Sequence, residues 1–154
     1  MNPAPQSPFN EICVYVAGAY NATAAVPMFN NMRKGMRMCK KILKMGRELG
    51  LSLAPFCPWL DFHFALVGDG EENDLTLEDF YSYSIAWLRR CDYVLLVPGW
   101  ENSKGTQKEL DIAREENIPV FGSIVALLEQ IERDNAAIKI ADEFFNKPEF
   151  QYTI

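Results

Sequence analysis

The sequence predicts one α/β domain, a compact flavodoxin-like or Rossmann-like parallel sheet of four or five strands with helices on both faces. Three observations predict it. Largely apolar runs rich in β-branched and aromatic residues recur at 12–17, 51–56, 92–97 and 118–121, as expected of strands covered on both sides. Segments of helical period lie between them, over 30–49, 76–90 and 106–116, with another over 124–131. The length of 154 residues suits a single core, and 49% apolar with 23% charged residues is ordinary globular composition.

Residues 1–10 lack the basic and apolar regions of a signal peptide and read as a frayed tail, leaving 11–154 as the domain. Ile12 to Ala17 ends at Gly18-Ala19-Tyr20-Asn21, a loop at a strand's C-terminal end. It has neither the G-x-G-x-x-G of dinucleotide folds nor the G-K-[ST] of a P-loop. In 30–49, Met32, Met36, Cys39, Leu43, Gly46 and Leu49 fall on one helical face, and Gly50 closes the helix. The opposite face carries Arg33, Lys34, Arg37, Lys40, Lys41, Lys44 and Arg47. Lys and Arg normally stand on solvated helical faces, which weighs against a phosphate or partner patch there.

Leu51 to Phe56 is a second strand stopped by Pro55 and Pro58. Residues 57–75 form a long loop, aromatic first (Trp59, Phe62, His63, Phe64) and then acidic (Asp69, Glu71, Glu72, Asp74), of a length that is usually functional. Its aromatics either wall a pocket for a flat ligand or cover the core. The helix over 76–90 sets Leu77, Phe80, Ser84 and Leu88 on one stripe, with Tyr81 and Ile85 beside it. After the helix over 124–131, Asp134-Asn135 marks a polar break before a short helix over 136–145. Residues 134–154 are expected to be helical or to sit at a subunit interface.

A net charge of −6 argues against nucleic acid and anionic membranes as partners, and no apolar run reaches the roughly 18–20 residues of a membrane span. Cys13, Cys39, Cys57 and Cys91 form no C-x-x-C pair and there is one histidine. No metal and no cofactor is therefore expected, and cytoplasmic free thiols are the default. His63 has no nucleophile turn near it and reads as a loop or core residue. Carboxylates are the better chemical candidates.

The stretch Cys91 to Glu109, CDYVLLVPGWENSKGTQKE, is a buried strand broken at Pro98-Gly99 into a polar loop that re-enters a helix. Open α/β folds place ligands at such junctions. Thr106-Gln107-Lys108-Glu109 has the form of a capping box. A carboxylate in a first helical turn is also stabilised as the anion, which suits a nucleophile. Ser103 and the amides around Gly105 offer a cradle for a phosphate or hydroxyl.

Three stretches together resemble the nucleoside 2-deoxyribosyltransferase superfamily: VYVAGAY (14–20), LEDFYSYSIAWLRRCDYVLLVPGWENSKGTQKEL (77–110) and NIPVF (117–121). The likeness is nearest to its nucleotide N-glycosidase branch, 2′-deoxynucleoside 5′-phosphate N-hydrolases and hydroxymethyl-CMP hydrolases, with many small phage and bacterial relatives. It covers most of 12–125 and is most specific in the combination of WLRRCD, PGW and S-x-G-T-x-x-E. The resemblance implies hydrolysis of the N-glycosidic bond of a (deoxy)ribonucleoside 5′-monophosphate through a glycosyl ester on Glu109, the logic of a retaining glycosidase. By the same resemblance Tyr15 orients the nucleophile, and Gly18, Ala19 and Tyr20 approach the sugar or phosphate. Ser103 meets the 5′-phosphate, where transferases acting on free nucleosides tend to carry an acid. Asp61 and Phe62 are carried as substrate-binding candidates and Asp92 as a structural residue. A homodimer or higher homo-oligomer is implied too.

The chain departs from the family eight residues before Asp92. Relatives often carry an aspartate there to help the leaving base, and this chain has Ser84. Asp61, Asp79 and Glu101 are the other candidates for that assistance. Base exchange between nucleosides, and nucleotide binding without catalysis, are the alternative functions.

Overall fold

The computed structural model describes residues 11–67 and 74–145. A four-stranded, all-parallel sheet has the order β2-β1-β3-β4, with β1 at Ile12–Ala17, β2 at Leu53–Phe56, β3 at Tyr93–Leu96 and β4 at Val120–Phe121. The central pair aligns Val14 with Tyr93, Tyr15 with Val94, Val16 with Leu95 and Ala17 with Leu96. Helices α1 (Ala25–Leu49), α2 (Phe62–Ala65), α3 (Leu77–Leu88), α4 (Lys104–Glu115) and α5 (Ile124–Phe145) complete the order.

Strand alternation sorts the core into two layers. Val14, Val16, Tyr93, Leu95 and Val97 face one side, where Met32, Cys39 and Ile42 of α1 and Ile124, Leu127 and Ile131 of α5 cover them. Tyr15, Ala17, Val94 and Leu96 face the other, under Leu88 of α3 and Leu110 and Ala113 of α4. The expected α/β sheet with helices on both faces is what the chain forms, with four strands.

Several boundaries differ from expectation for identifiable reasons. Helix α1 starts at Ala25 rather than 30. Pro27 lies in its first turn, where a missing N–H costs no helical bond. The buried stripe of α1 is Met32, Gly35, Cys39, Ile42 and Gly46, while Leu43 and Leu49 are exposed. Gly35 turns the helix: a Cβ there would lie 2.3 Å from the Trp59 ring, so backbone and indole are in direct contact. The seven basic residues of α1 are all exposed, in line with the solvated-face reading.

Residues 57–75 are not wholly a loop. Pro58–Asp61 form a 3-10 turn leading into α2, and Trp59 is buried at 2% exposure, its indole N–H donating to the Ala19 carbonyl at 3.1 Å. Asp69, Glu71 and Glu72 lie outside the described residues. Helix α5 runs through the expected break at 134–135 without interruption. Asp134 accepts from Gln130 one turn earlier at 2.8 Å and from the Tyr93 hydroxyl at 2.5 Å, so its side chain ties the helix to β3. The tail at 146–154, like the side chains of Phe144 and Phe145, lies outside what is described.

Candidate active site at the switch point

In this strand order β1 feeds its crossover to β2 on one side and β3 feeds its crossover to β4 on the other. The crevice between the C-terminal ends of β1 and β3 is therefore the topological switch point, where such sheets bind ligands. A cavity of about 650 Å³ opens there. Gly18 and Tyr20 line it from the loop after β1, Trp59, Asp61 and Phe62 from the turn after β2, Phe80, Tyr81 and Ser84 from α3, and Ser103 to Thr106 with Glu109 from α4. Its size suits a small organic ligand.

The close approach of three elements shapes the floor. A Cβ on Gly18 would fall 2.8 Å from the Val97 Cβ and 3.2 Å from the Trp59 ring, so only glycine lets the first loop cross there. Ala19 gives its carbonyl to the Trp59 indole rather than to the cavity. Tyr81 closes the mouth of α4, its hydroxyl 3.1 Å from where a Gly105 Cβ would be.

Tyr15 reaches from β1 under the cavity and donates its hydroxyl to Glu109 Oε1 at 2.7 Å, a buried bond between residues 94 positions apart. Glu109 itself is 9% exposed. Burial pushes its pKa from 4.5 up to about 7; the Tyr15 hydrogen bond works against that rise, and the charge of Asp61 adds to it. The Tyr15 phenol is raised well above 10, by burial first and then by Glu109, while the neighbouring Ser84 hydroxyl acts to lower it. Ser84 is buried at 6% exposure, and its hydroxyl lies against the Tyr15 phenol.

The start of α4 differs from the expected capping box. Ser103, not Thr106, is the N-cap, and its Oγ accepts from the Thr106 N–H at 3.3 Å. Glu109 consequently sits in the second turn, and its carboxylate is spent on Tyr15 rather than on the helix end. The dipole does not hold it as an anion; burial favours the proton. Ser103 keeps its own hydroxyl proton to donate. The first-turn N–H groups of Lys104 and Gly105 have no acceptor within the helix, as at any helix start. Lys104 is exposed and lines the cavity beside Ser103.

Asp61 is buried at 8% exposure, and its Oδ1 has no hydrogen-bond partner. Burial raises its pKa, opposed by the Tyr20 hydroxyl and the Phe62 N–H. Tyr20 in turn is pushed up to about 12, by burial and then by Asp61. The other two acids proposed for the leaving base stand elsewhere. Asp79 is exposed and locked with Thr76 in the capping box of α3, while Glu101 is exposed in the 3-10 turn before Ser103. His63 is exposed, its Nδ1 against the Leu60 carbonyl. Asp92 is structural: its carboxylate accepts from the Cys13 N–H at 2.8 Å and fastens the start of β3 to β1.

The family comparison falls on this site. Residues 65–122 match the family described as Domain of unknown function (DUF4406). That segment is less than half of the chain and runs through α3, β3, α4 and β4, bringing Ser84, Ser103 and Glu109 with it. No curated protein matches the chain, and no solved structure does.

Several lining residues were not singled out from the sequence, Phe80, Tyr81, Lys104 and Thr106 among them. Thr106 was visible only as a helix cap, yet it is 1% exposed with an unpaired Oγ1. Lys104, one of many exposed lysines, stands out only once Ser103 is known to be the cap. Among the described residues no helix is long and apolar enough to cross a membrane.

Proposed function

We propose that the protein is an N-glycosidase that cleaves a (deoxy)ribonucleoside 5′-monophosphate into free base and sugar 5-phosphate. The observation that carries the reading is the buried 2.7 Å hydrogen bond from Tyr15 to Glu109 in the wall of the switch-point cavity. A carboxylate held by one donor and otherwise stripped of water is poised to attack an anomeric carbon once ionised. With its pKa near 7, it is substantially ionised at neutral pH.

The rim of α4 supports a phosphate as the other end of the substrate. Ser103 donates a hydroxyl, Lys104 and Gly105 offer amides, and Lys104 adds a positive charge; a carboxylate at Ser103 would repel a dianion. In this reading Glu109 forms the glycosyl ester, Tyr15 orients it, and Phe62, Phe80 and Tyr81 offer apolar faces for the base. Homodimerisation belongs to the same reading, supported by the exposed Phe64, Tyr83 and Trp87, at 48%, 38% and 42%. The four free thiols fit a reducing interior such as the cytoplasm.

The test is a panel of ribo- and deoxyribonucleoside 5′-monophosphates, including modified pyrimidines, assayed chromatographically for free base. Release from at least one, abolished in Glu109→Gln, is the expected result. Adding a second free base and finding new nucleotide would convert the assignment to a transferase. Tight nucleotide binding without base release from any member would make the protein a binder.

A further inference from the structure

The cavity holds a second buried carboxyl. Asp61 enters from the turn after β2, on a different element from Glu109, and both line the same space. The two are close enough for the Asp61 charge to act on Glu109. Asp61 Oδ1 is buried without a partner, an arrangement that costs stability unless a ligand or a proton uses the atom. Nothing in the fold explains it: Trp59 and the 3-10 turn pack without it, and the groups beside it are the Tyr20 hydroxyl, the Phe62 N–H and the Cys57 thiol. The helix that carries an acid in the resembled superfamily brings the Ser84 hydroxyl and the Tyr81 phenol to this cavity, and no carboxyl.

We propose that Asp61 is the general acid that protonates the departing base, so that the acid role has moved from α3 to the turn after β2. This rests on the N-glycosidase reading above. Glu109 as carboxylate attacks C1′, forming the C1′–O ester bond while the C1′–N bond breaks. The electron pair of that bond goes to the base, which takes the proton from Asp61. Asp61, now a carboxylate, then removes a proton from water as the water oxygen attacks C1′ and expels Glu109. Both carboxyls return to their starting forms, and nucleotide plus water has become base plus sugar phosphate.

Two buried carboxyls facing one cavity disfavour each other's ionisation, so the second proton is harder to lose than the first. At rest the proton favours Glu109, with Asp61 as the charge beside it; the productive arrangement is the reverse and less populated one, with the charge on Glu109, where Tyr15 donates to it, and the proton on Asp61. The other titratable groups facing Asp61 are Tyr20, Tyr81 and Lys104 around the cavity and Cys57 at the head of its own turn. Of these, Tyr20 is pushed up to about 12 and stays neutral through the working range.

The experiment compares nucleotides whose bases leave unaided with those that need a proton. A 7-methylated purine leaves as a neutral base without protonation, and a 5-halogenated uracil leaves more readily than uracil. In Asp61→Asn, kcat on ordinary nucleotides should fall roughly 10²- to 10⁴-fold. On the activated members it should fall far less, and the alkaline limb of the pH–rate profile should disappear. Asp61→Glu should recover part of the loss. Equal losses on ordinary and activated substrates would overturn the acid role while leaving the N-glycosidase reading standing. A second measurement needs no variant: the wild-type rate should depend only weakly on the acidity of the base, and a steep dependence would overturn the role as well. If the wild type cleaves neither kind of nucleotide, the N-glycosidase reading itself falls and takes this proposal with it.

Discussion

Neutralising Glu109 separates the two consequences of its burial. A carboxyl whose pKa is higher in the fold than in the unfolded chain holds its proton more tightly when folded. Stability is therefore lost as pH rises from about 4.5 towards the folded value of about 7. The shift corresponds to at most about 3 kcal/mol. Glu109→Gln, whose amide oxygen can still accept from Tyr15, should thus melt higher than wild type at pH 8 and nearly with it at pH 4.5, by calorimetry, while base release is lost. Tyr15→Phe tests the other side of the bond. The donated hydrogen bond lowers the Glu109 pKa, so its removal should shift the acid limb of the pH–rate profile upward and reduce kcat at pH 6 more than at pH 8. Tyr15 and Glu109, 94 positions apart, were linked in the sequence only by the resemblance, and the structure places them in hydrogen-bond contact. The protonation of Glu109 was not legible there, since it depends on how deeply the second turn of α4 is buried.

At the scale of elements, α4 and the contact between α1 and the turn after β2 do most to shape the cavity. Ser103 both caps α4 and stands at the proposed phosphate end, and two substitutions divide these roles. Ser103→Ala removes the cap and should cost about 1 kcal/mol. Ser103→Asp keeps a capping acceptor, so stability should hold while KM for a nucleotide rises at least tenfold. Gly35→Ala forces a methyl onto the Trp59 ring, where the nearest carbon would be 2.3 Å away. Overpacking of this kind costs about 1–3 kcal/mol, so the melting temperature should drop and indole fluorescence should change. The α1 stripe was legible in Met32, Cys39 and Gly46 but not in Gly35, which contributes no apolar signal although its backbone lies against the Trp59 ring. The break expected at 134–135 was misjudged for a related reason. Asp and Asn weaken a helix only where their side chains compete for its backbone, and Asp134 bonds instead to Gln130 and Tyr93.

For the whole molecule, alternating buried strands and amphipathic helices made the fold class legible before any pairing was known. Strand order was not, because it is decided by contacts between distant segments such as Cys13 with Asp92 and Tyr15 with Glu109. That order puts β1 and β3 at the centre, with the short β4 at one edge. Native-state hydrogen exchange should accordingly find the slowest amides in Val14 to Ala17 and Val94 to Leu96, with Phe121 exchanging sooner. The same order makes one cavity out of the three strand connections, and this is how a carboxyl from the turn after β2 comes to share a space with one from α4. The most direct measurement of the central claim is intact-protein mass spectrometry after incubation with a 2′-fluoro-substituted nucleoside 5′-monophosphate, whose glycosyl ester hydrolyses slowly. A mass increase of one fluorinated sugar phosphate is expected, located on the peptide that contains Glu109 and absent from Glu109→Gln. Base release without any such adduct, or an adduct on another residue, would contradict the claim.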